Sequence, residues 1–349
     1  MKSHFCVISM ITAVAFVGNI SFVSAAAQFP LSMPGVQPMQ NETYLCTAFH
    51  FAPNQHKYIV SFEPNATMHV AHHVLIYGCA TPGYREWDSP RVVWDCGETE
   101  SFGGTFPKRS ICERGQRIVY AWARDAPALK LPEGVGFKIG GNSGINYLVL
   151  QVHYADTTPF LDGVTRDNSG IVLSLLSGDT NEVRRRAGVL RIRAGGMIPA
   201  RHWENMEVAC QFKDNITLYP FAFRTHTHSL GKLVTGYVVK NGTWINIGKH
   251  NPLEAQMFYP AKSAVTIVRG DILAARCTVH NYRDRDTYDG PTNDDEMCAF
   301  YFMYYVEVDE ITSMEECRSQ GPPSYYWRKD PLLRNLITSD IDKDASTLD

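Results

Sequence analysis

Short runs of alternating or β-branched residues recur along the chain, separated by Gly, Pro, Asn and Asp, and they predict strands. The first set covers residues 57–62, 70–77, 118–122, 147–154 and 171–176. A second set covers 188–193, 207–212, 216–228, 233–247, 265–277 and 299–308. Asn241-Gly242 sits between two apolar runs and marks a hairpin. No long amphipathic helical pattern stands out. Many short strands with turn signals predict an all-β chain of two tandem antiparallel β-sandwich (jelly-roll-like) domains. The polar stretch 177–186, ending in Arg184-Arg185-Arg186, is the expected boundary, so the domains are expected at 40–178 and 187–320. Beyond Gly321-Pro322-Pro323 the pattern fades, and residues 321–349 are expected to be a loose polar tail.

The length of 349 residues agrees with two domains of about 100–200 residues each. The net charge is −3 and no basic stripe occurs, which argues against a nucleic-acid partner. Lys2, the apolar run 5–17 and the small residues Ala25, Ala26 and Ala27 read as a signal peptide over 1–27. No membrane span is expected in the mature chain. Secretion changes how cysteines are read. Cys6 falls in the leader, and eight remain, four before residue 113 and four after residue 209. An even number in an oxidising compartment predicts four disulfides, two in each domain, with pairing open. Acceptor sequences for N-glycosylation begin at Asn41, Asn65, Asn215 and Asn241.

The histidines carry the candidate chemistry. His226 and His228 are spaced i, i+2, so on a strand both rings reach one side and can share one ion. The same pair also fits two packing histidines. His72 and His73 are adjacent, so a regular strand would turn them to opposite faces unless the chain bends there. His69 shares the parity of His73 and is a third candidate. His153 lies in an otherwise apolar strand, where a lone histidine is more often a satisfied core group. No His-Glu-x-x-His run occurs, and the cysteines are needed for pairing, so protease-type and thiolate zinc sites are not expected. A methionine thioether is a soft ligand that, with imidazoles, favours copper over zinc and redox chemistry over hydrolysis. Which of the eleven methionines serves is not set by spacing.

At these residues the chain resembles the ascorbate-dependent type II copper monooxygenases, and within them the peptidylglycine α-hydroxylating branch. The matching motifs are His72-His73-Val74-Leu75-Ile76-Tyr77-Gly78-Cys79, Tyr120-Ala121-Trp122-Ala123-Arg124, Gln151-Val152-His153-Tyr154, His226-Thr227-His228-Ser229-Leu230-Gly231-Lys232, Gly270-Asp271-Ile272-Leu273-Ala274-Ala275-Arg276-Cys277 and Asp295-Glu296-Met297-Cys298. They span about residues 40–320 in family order.

The resemblance implies two copper ions, one per domain, across a solvent-filled cleft. His72, His73 and His153 would hold the first; His226, His228 and Met297 would hold the second, the catalytic one. Arg224 would grip a substrate carboxylate with help from Tyr301. Ala299 and Tyr219 depart from the family's usual asparagine and histidine. The implied disulfides are Cys46–Cys96, Cys79–Cys112, Cys210–Cys317 and Cys277–Cys298. Cysteines for a further bridge near the domain junction are absent, which predicts looser coupling.

The implied activity is hydroxylation of the α-carbon of a C-terminal glycine in peptides, with ascorbate as reductant and dioxygen as co-substrate. It is the first step of neuropeptide amidation, in the secretory granule or outside the cell. A separate lyase would act on the hydroxyglycine product, since the length leaves no room for one here. The alternatives are a dopamine β-monooxygenase-like hydroxylase and a non-catalytic secreted copper-binding protein. Arg224 argues against the first, because a catecholamine has no carboxylate.

Overall fold

The computed structural model describes residues 26–85, 92–97 and 105–348. The leader run 5–17 and Cys6 lie outside the described residues. Strands dominate, and they arrange as two β-sandwiches in tandem. In the N-terminal half a five-stranded sheet runs in the order Val93–Asp95, Thr43–His50, Tyr147–Tyr154, His73–Cys79, Arg117–Ala123. Its inner face packs on the strands Ala27–Ser32, Gly170–Ser177, His56–Asn65 and Val135–Gly140, enclosing Leu45, Phe62, Ile76, Trp122 and Leu150. In the C-terminal half the four-stranded sheet Trp203–Gln211, Ile272–His280, Gly231–Lys240, Thr243–His250 packs on Arg185–Ala194, Cys298–Val306 and Tyr219–His226. Among the described residues no helix is long and apolar enough to cross a membrane.

The strands that back the C-terminal core are buried on both faces, and strand parity explains how. Leu190, Ile192, Phe300, Phe302 and Tyr304 point into the C-terminal core. Their neighbours Val189, Ala299, Tyr301 and Met303 point the other way and join the N-terminal core. A short parallel pairing, Val135 with Arg185 and Gly136 with Arg186, makes one sheet continuous across the junction. The looser coupling expected from the missing cysteines therefore meets a junction closed by apolar packing.

Within the expected boundary stretch, Arg185 lies over the Tyr305 ring at 4.8 Å, and Arg186 donates to the Ser143 and Asp309 carbonyls. A further expectation changes. The tail is not loose. Trp327, Leu333 and Ala345 are buried against Tyr237, Val239 and Ala274. The tail ends in the helix Ser339–Ser346, whose Asp342 reaches Arg276 at 2.8 Å. The disulfides are Cys46–Cys96, Cys79–Cys112, Cys210–Cys317 and Cys277–Cys298.

Candidate metal centre

The first cluster is built by strand pairing. His73 opens its strand and stands directly opposite His153, so both rings rise on the same face of the five-stranded sheet. His72 sits at a bend just before that strand, and its N–H donates to the His153 carbonyl at 2.9 Å. The bend frees His72 from strand alternation and lets it join its neighbour. The ligand atoms of His72, His73 and His153 lie within 4.8 Å of one another. His69 stays exposed and does not join them.

The nitrogens are set for an ion. Nδ1 of His153 and Nδ1 of His73 stand 3.4 Å apart. Two imidazole nitrogens bound at about 2 Å to one ion would be about 3.3 Å apart. Nδ1 of His72 is buried without a hydrogen-bond partner. An orphaned buried acceptor is costly, and a metal at this point satisfies it. Burial pushes the imidazolium form of His72 down to about 4, with His153 and His228 adding to the effect. Burial likewise lowers His73 and His153, the latter against the opposing pull of Glu42. All three are neutral imidazoles at neutral pH, the form a metal ion requires. The Tyr44 ring stacks on His153 at 4.0 Å.

The second cluster is built on the strand Tyr219–His226. Arg224 pairs with Tyr301 and His226 with Ala299 across to Cys298–Val306. His228 and Met297 lie just beyond the ends of these two strands, at the same end of the pair. His226 Nδ1 meets the Gln256 Oε1 at 2.7 Å, and His228 Nδ1 meets the Asp295 carbonyl at 3.2 Å. Both partners only accept, so each Nδ1 carries the proton and each Nε2 keeps a free lone pair. The Gln256 amide is itself oriented, since its Nε2 donates to the Thr227 and Pro252 carbonyls. Its Oε1 also accepts from Arg224 at 3.0 Å.

Sequence reading missed several supporting residues. Glu296 is fully buried and accepts from the backbone N–H of His228, Leu230 and Met297. One carboxylate thus holds the two arms that carry His228 and Met297. Its place inside Asp295-Glu296-Met297-Cys298 was the available signal. Gln256 lies in an irregular segment where periodicity says nothing. Of the departures, Ala299 is buried opposite His226, and Tyr219 stacks on Tyr305 at 4.9 Å.

The two clusters touch. The His73 and His226 rings are 6.4 Å apart, and Arg224 and His226 are buried. The expected solvent-filled cleft is closed here. Tyr44 donates to the Pro291 carbonyl at 2.7 Å and Arg124 to the Leu253 carbonyl at 2.9 Å, drawing the halves together.

Fold and site together define a two-sandwich β protein whose three-histidine cluster in one half meets a histidine pair in the other. The comparisons agree. The family description "Copper type II ascorbate-dependent monooxygenase, N-terminal domain" matches residues 29–160, and its C-terminal counterpart matches 185–330. The chain belongs to the copper type II ascorbate-dependent monooxygenases. It is 39% identical over 299 residues to peptidyl-glycine alpha-amidating monooxygenase A of Xenopus laevis, covering 85% of this chain and 30% of that protein. It is 38% identical over 319 residues to the Rattus norvegicus peptidylglycine alpha-amidating monooxygenase, covering 89% and 30%. Dopamine beta-hydroxylase of Homo sapiens is more distant, at 28% over 345 residues, covering 91% and 52%. The chain thus spans under a third of the length of the amidating relatives.

Proposed function

We propose that the chain is a copper- and ascorbate-dependent monooxygenase that hydroxylates the α-carbon of a C-terminal glycine in peptides. Arg224 carries this reading. Its guanidinium is 3% exposed, and among the described residues no carboxylate pairs with it. Its Nε donates to the Gln256 carbonyl at 3.0 Å, and its charge lies 5.3 Å from the Tyr301 ring centroid. A buried, unpaired cation invites an anion, and a guanidinium matches a carboxylate best. Arg224 stands two residues before His226 on one face of one strand. A terminal carboxylate held there directs the neighbouring α-carbon towards His226 and His228.

In this reading His72, His73 and His153 hold one copper, and His226, His228 and Met297 hold the other. Neutral imidazoles and a soft thioether suit copper in its reduced state. When bound, the two ions supply the one-electron redox chemistry by which electrons from ascorbate reach dioxygen. In overall balance a glycine C–H bond and the O–O bond break. One oxygen becomes the α-hydroxyl and the other leaves as water, using two electrons from ascorbate and two protons. Gln256 aims His226 and Arg224 together, Tyr301 flanks the carboxylate, and burial of the pair excludes water. A lyase acting on the hydroxyglycine product completes C-terminal amidation. The disulfides fit an oxidising compartment, and the enzyme works in the secretory granule or outside the cell.

The test compares three substrates on copper-loaded protein with ascorbate and oxygen: a glycine-extended peptide, the same peptide with its carboxylate capped as an amide, and phenethylamine. Turnover of the first alone is expected. Equal turnover of the capped peptide, or turnover of phenethylamine only, overturns the carboxylate reading.

A further inference from the structure

Glu42 stands between the two clusters. Its Oε2 meets His153 Nε2 at 2.9 Å, and its Oε1 accepts from Asn293 Nδ2 at 2.7 Å. A carboxylate only accepts, so His153 Nε2 carries the proton and Nδ1 is left with its lone pair facing His73. Asn293 lies in the loop 291–297 that leads into Met297 and whose Asp295 carbonyl holds His228. Each oxygen of one carboxylate thus serves one half of the molecule. The backbone supports this use: Glu42 has φ 59°, a left-handed conformation uncommon for a residue with a long side chain.

We propose that Glu42 is a positioning residue for both metal sites, aiming His153 at the first ion and tying the Met297 loop to it. The inference rests on the copper assignments above. A carboxylate on the far nitrogen of a ligating histidine fixes its tautomer and ring orientation and raises its basicity, and removing such a partner typically costs 10–100-fold in metal affinity or activity. A glutamine at 42 keeps the shape but lacks the charge that raises the basicity of the His153 imidazole. Tyr44, two residues on, repeats the arrangement by stacking on His153 while donating to Pro291. The carboxylate and the phenol therefore clamp one ligand and one loop from the same strand start.

The test uses Glu42→Gly, which suits the left-handed backbone, and Asn293→Ala, which cuts only the contact to the loop. Copper is titrated against a competing chelator on the full chain, with stoichiometry and Cu(II) paramagnetic resonance read alongside. Hydrogen exchange is followed in residues 291–297. In Glu42→Gly, first-site affinity is expected to fall roughly 10–100-fold, with one ion lost before the other. Asn293→Ala should keep that affinity within about twofold, because the His153 bond that sets it is intact. Exchange in the loop should quicken in both variants. Glu42→Asn, which also tolerates the left-handed backbone, gives the same reading if the glycine variant folds poorly. Unchanged first-site affinity in the Glu42 variant, or unchanged exchange in the loop, overturns the proposal. A wild-type chain that binds two ions while either result occurs leaves the copper reading standing; a wild-type chain that binds none overturns both.

Discussion

Arg224 and His226 share one Gln256 oxygen, and that single atom ties the proposed anion-binding group to a proposed metal ligand. Their separation of two residues is set by strand geometry, so the two functions can be cut apart by mutation. Arg224→Ala is expected to raise KM for a glycine-extended peptide strongly. Losing a charge-assisted contact corresponds to about 1.5–3 kcal/mol, or roughly 10–150-fold. Copper content should stay at the wild-type value, because His226 keeps Gln256. Metal analysis beside steady-state kinetics checks this, and loss of copper would contradict the assigned role. At this scale the sequence was informative where parity applied. His226, His228 and Arg224 fall on one face by counting. His153 reads as a core histidine from its apolar neighbours and as a ligand only from the family resemblance, and its cross-strand partner His73 is what sets it in the cluster. Glu42 and Gln256 act from a turn and an irregular segment, where no period exists to read.

Strands were the most legible elements because alternation and β-branching are local properties. The expected strand at 147–154 coincides with Tyr147–Tyr154, and Asn241-Gly242 does join two strands, with both residues at positive φ. The error at 70–77 is instructive. The strand starts only at His73, and the bend at His72 is what allows both histidines into one cluster. The tail was misread because its anchors, Trp327, Leu333 and Ala345, are scattered among polar residues without a strand or helix period. Trp327 is fully buried, its indole N–H donates to the Val208 carbonyl at 3.0 Å, and Arg276 lies 4.6 Å from its ring centroid. Trp327→Ala is expected to cost about 3–5 kcal/mol. The check is chemical denaturation of wild type and variant, with copper binding expected to survive in the folded protein. A loss below about 1 kcal/mol, within the range of an ordinary surface substitution, would return the tail to a loose appendage.

Across the whole molecule, apolar packing and a few polar bonds hold the halves together. Lys138 of the N-terminal sandwich donates to both Asp309 oxygens at 2.8 and 2.9 Å. That hydrogen bond, against the opposing effect of burial, holds the Asp309 carboxyl below its ordinary value of 3.8. A carboxyl with a depressed folded value contributes its full stability above the ordinary value and loses it as pH falls through the depressed one. The contribution is under about 1 kcal/mol, since Asp309 is largely exposed. The stability difference between wild type and Lys138→Met should therefore be constant near neutral pH and shrink below about pH 4, where the carboxyl protonates. Melting curves across pH check it, and a pH-independent difference would show that the pair does not couple the halves. The all-β, two-sandwich fold class was legible from the sequence. The shared sheet and the closed meeting of the clusters were not, because they depend on which faces of remote strands touch.

In the proposed function this two-cluster centre transfers one atom of dioxygen to a peptide's terminal glycine. The most direct measurement supplies isotopically labelled dioxygen and ascorbate to the copper-loaded chain with a glycine-extended peptide, and reads the product by fragment mass. One labelled oxygen on the glycine α-carbon is expected, abolished by a copper chelator. Label elsewhere in the peptide, or an unlabelled peptide from fully copper-loaded protein, would contradict it.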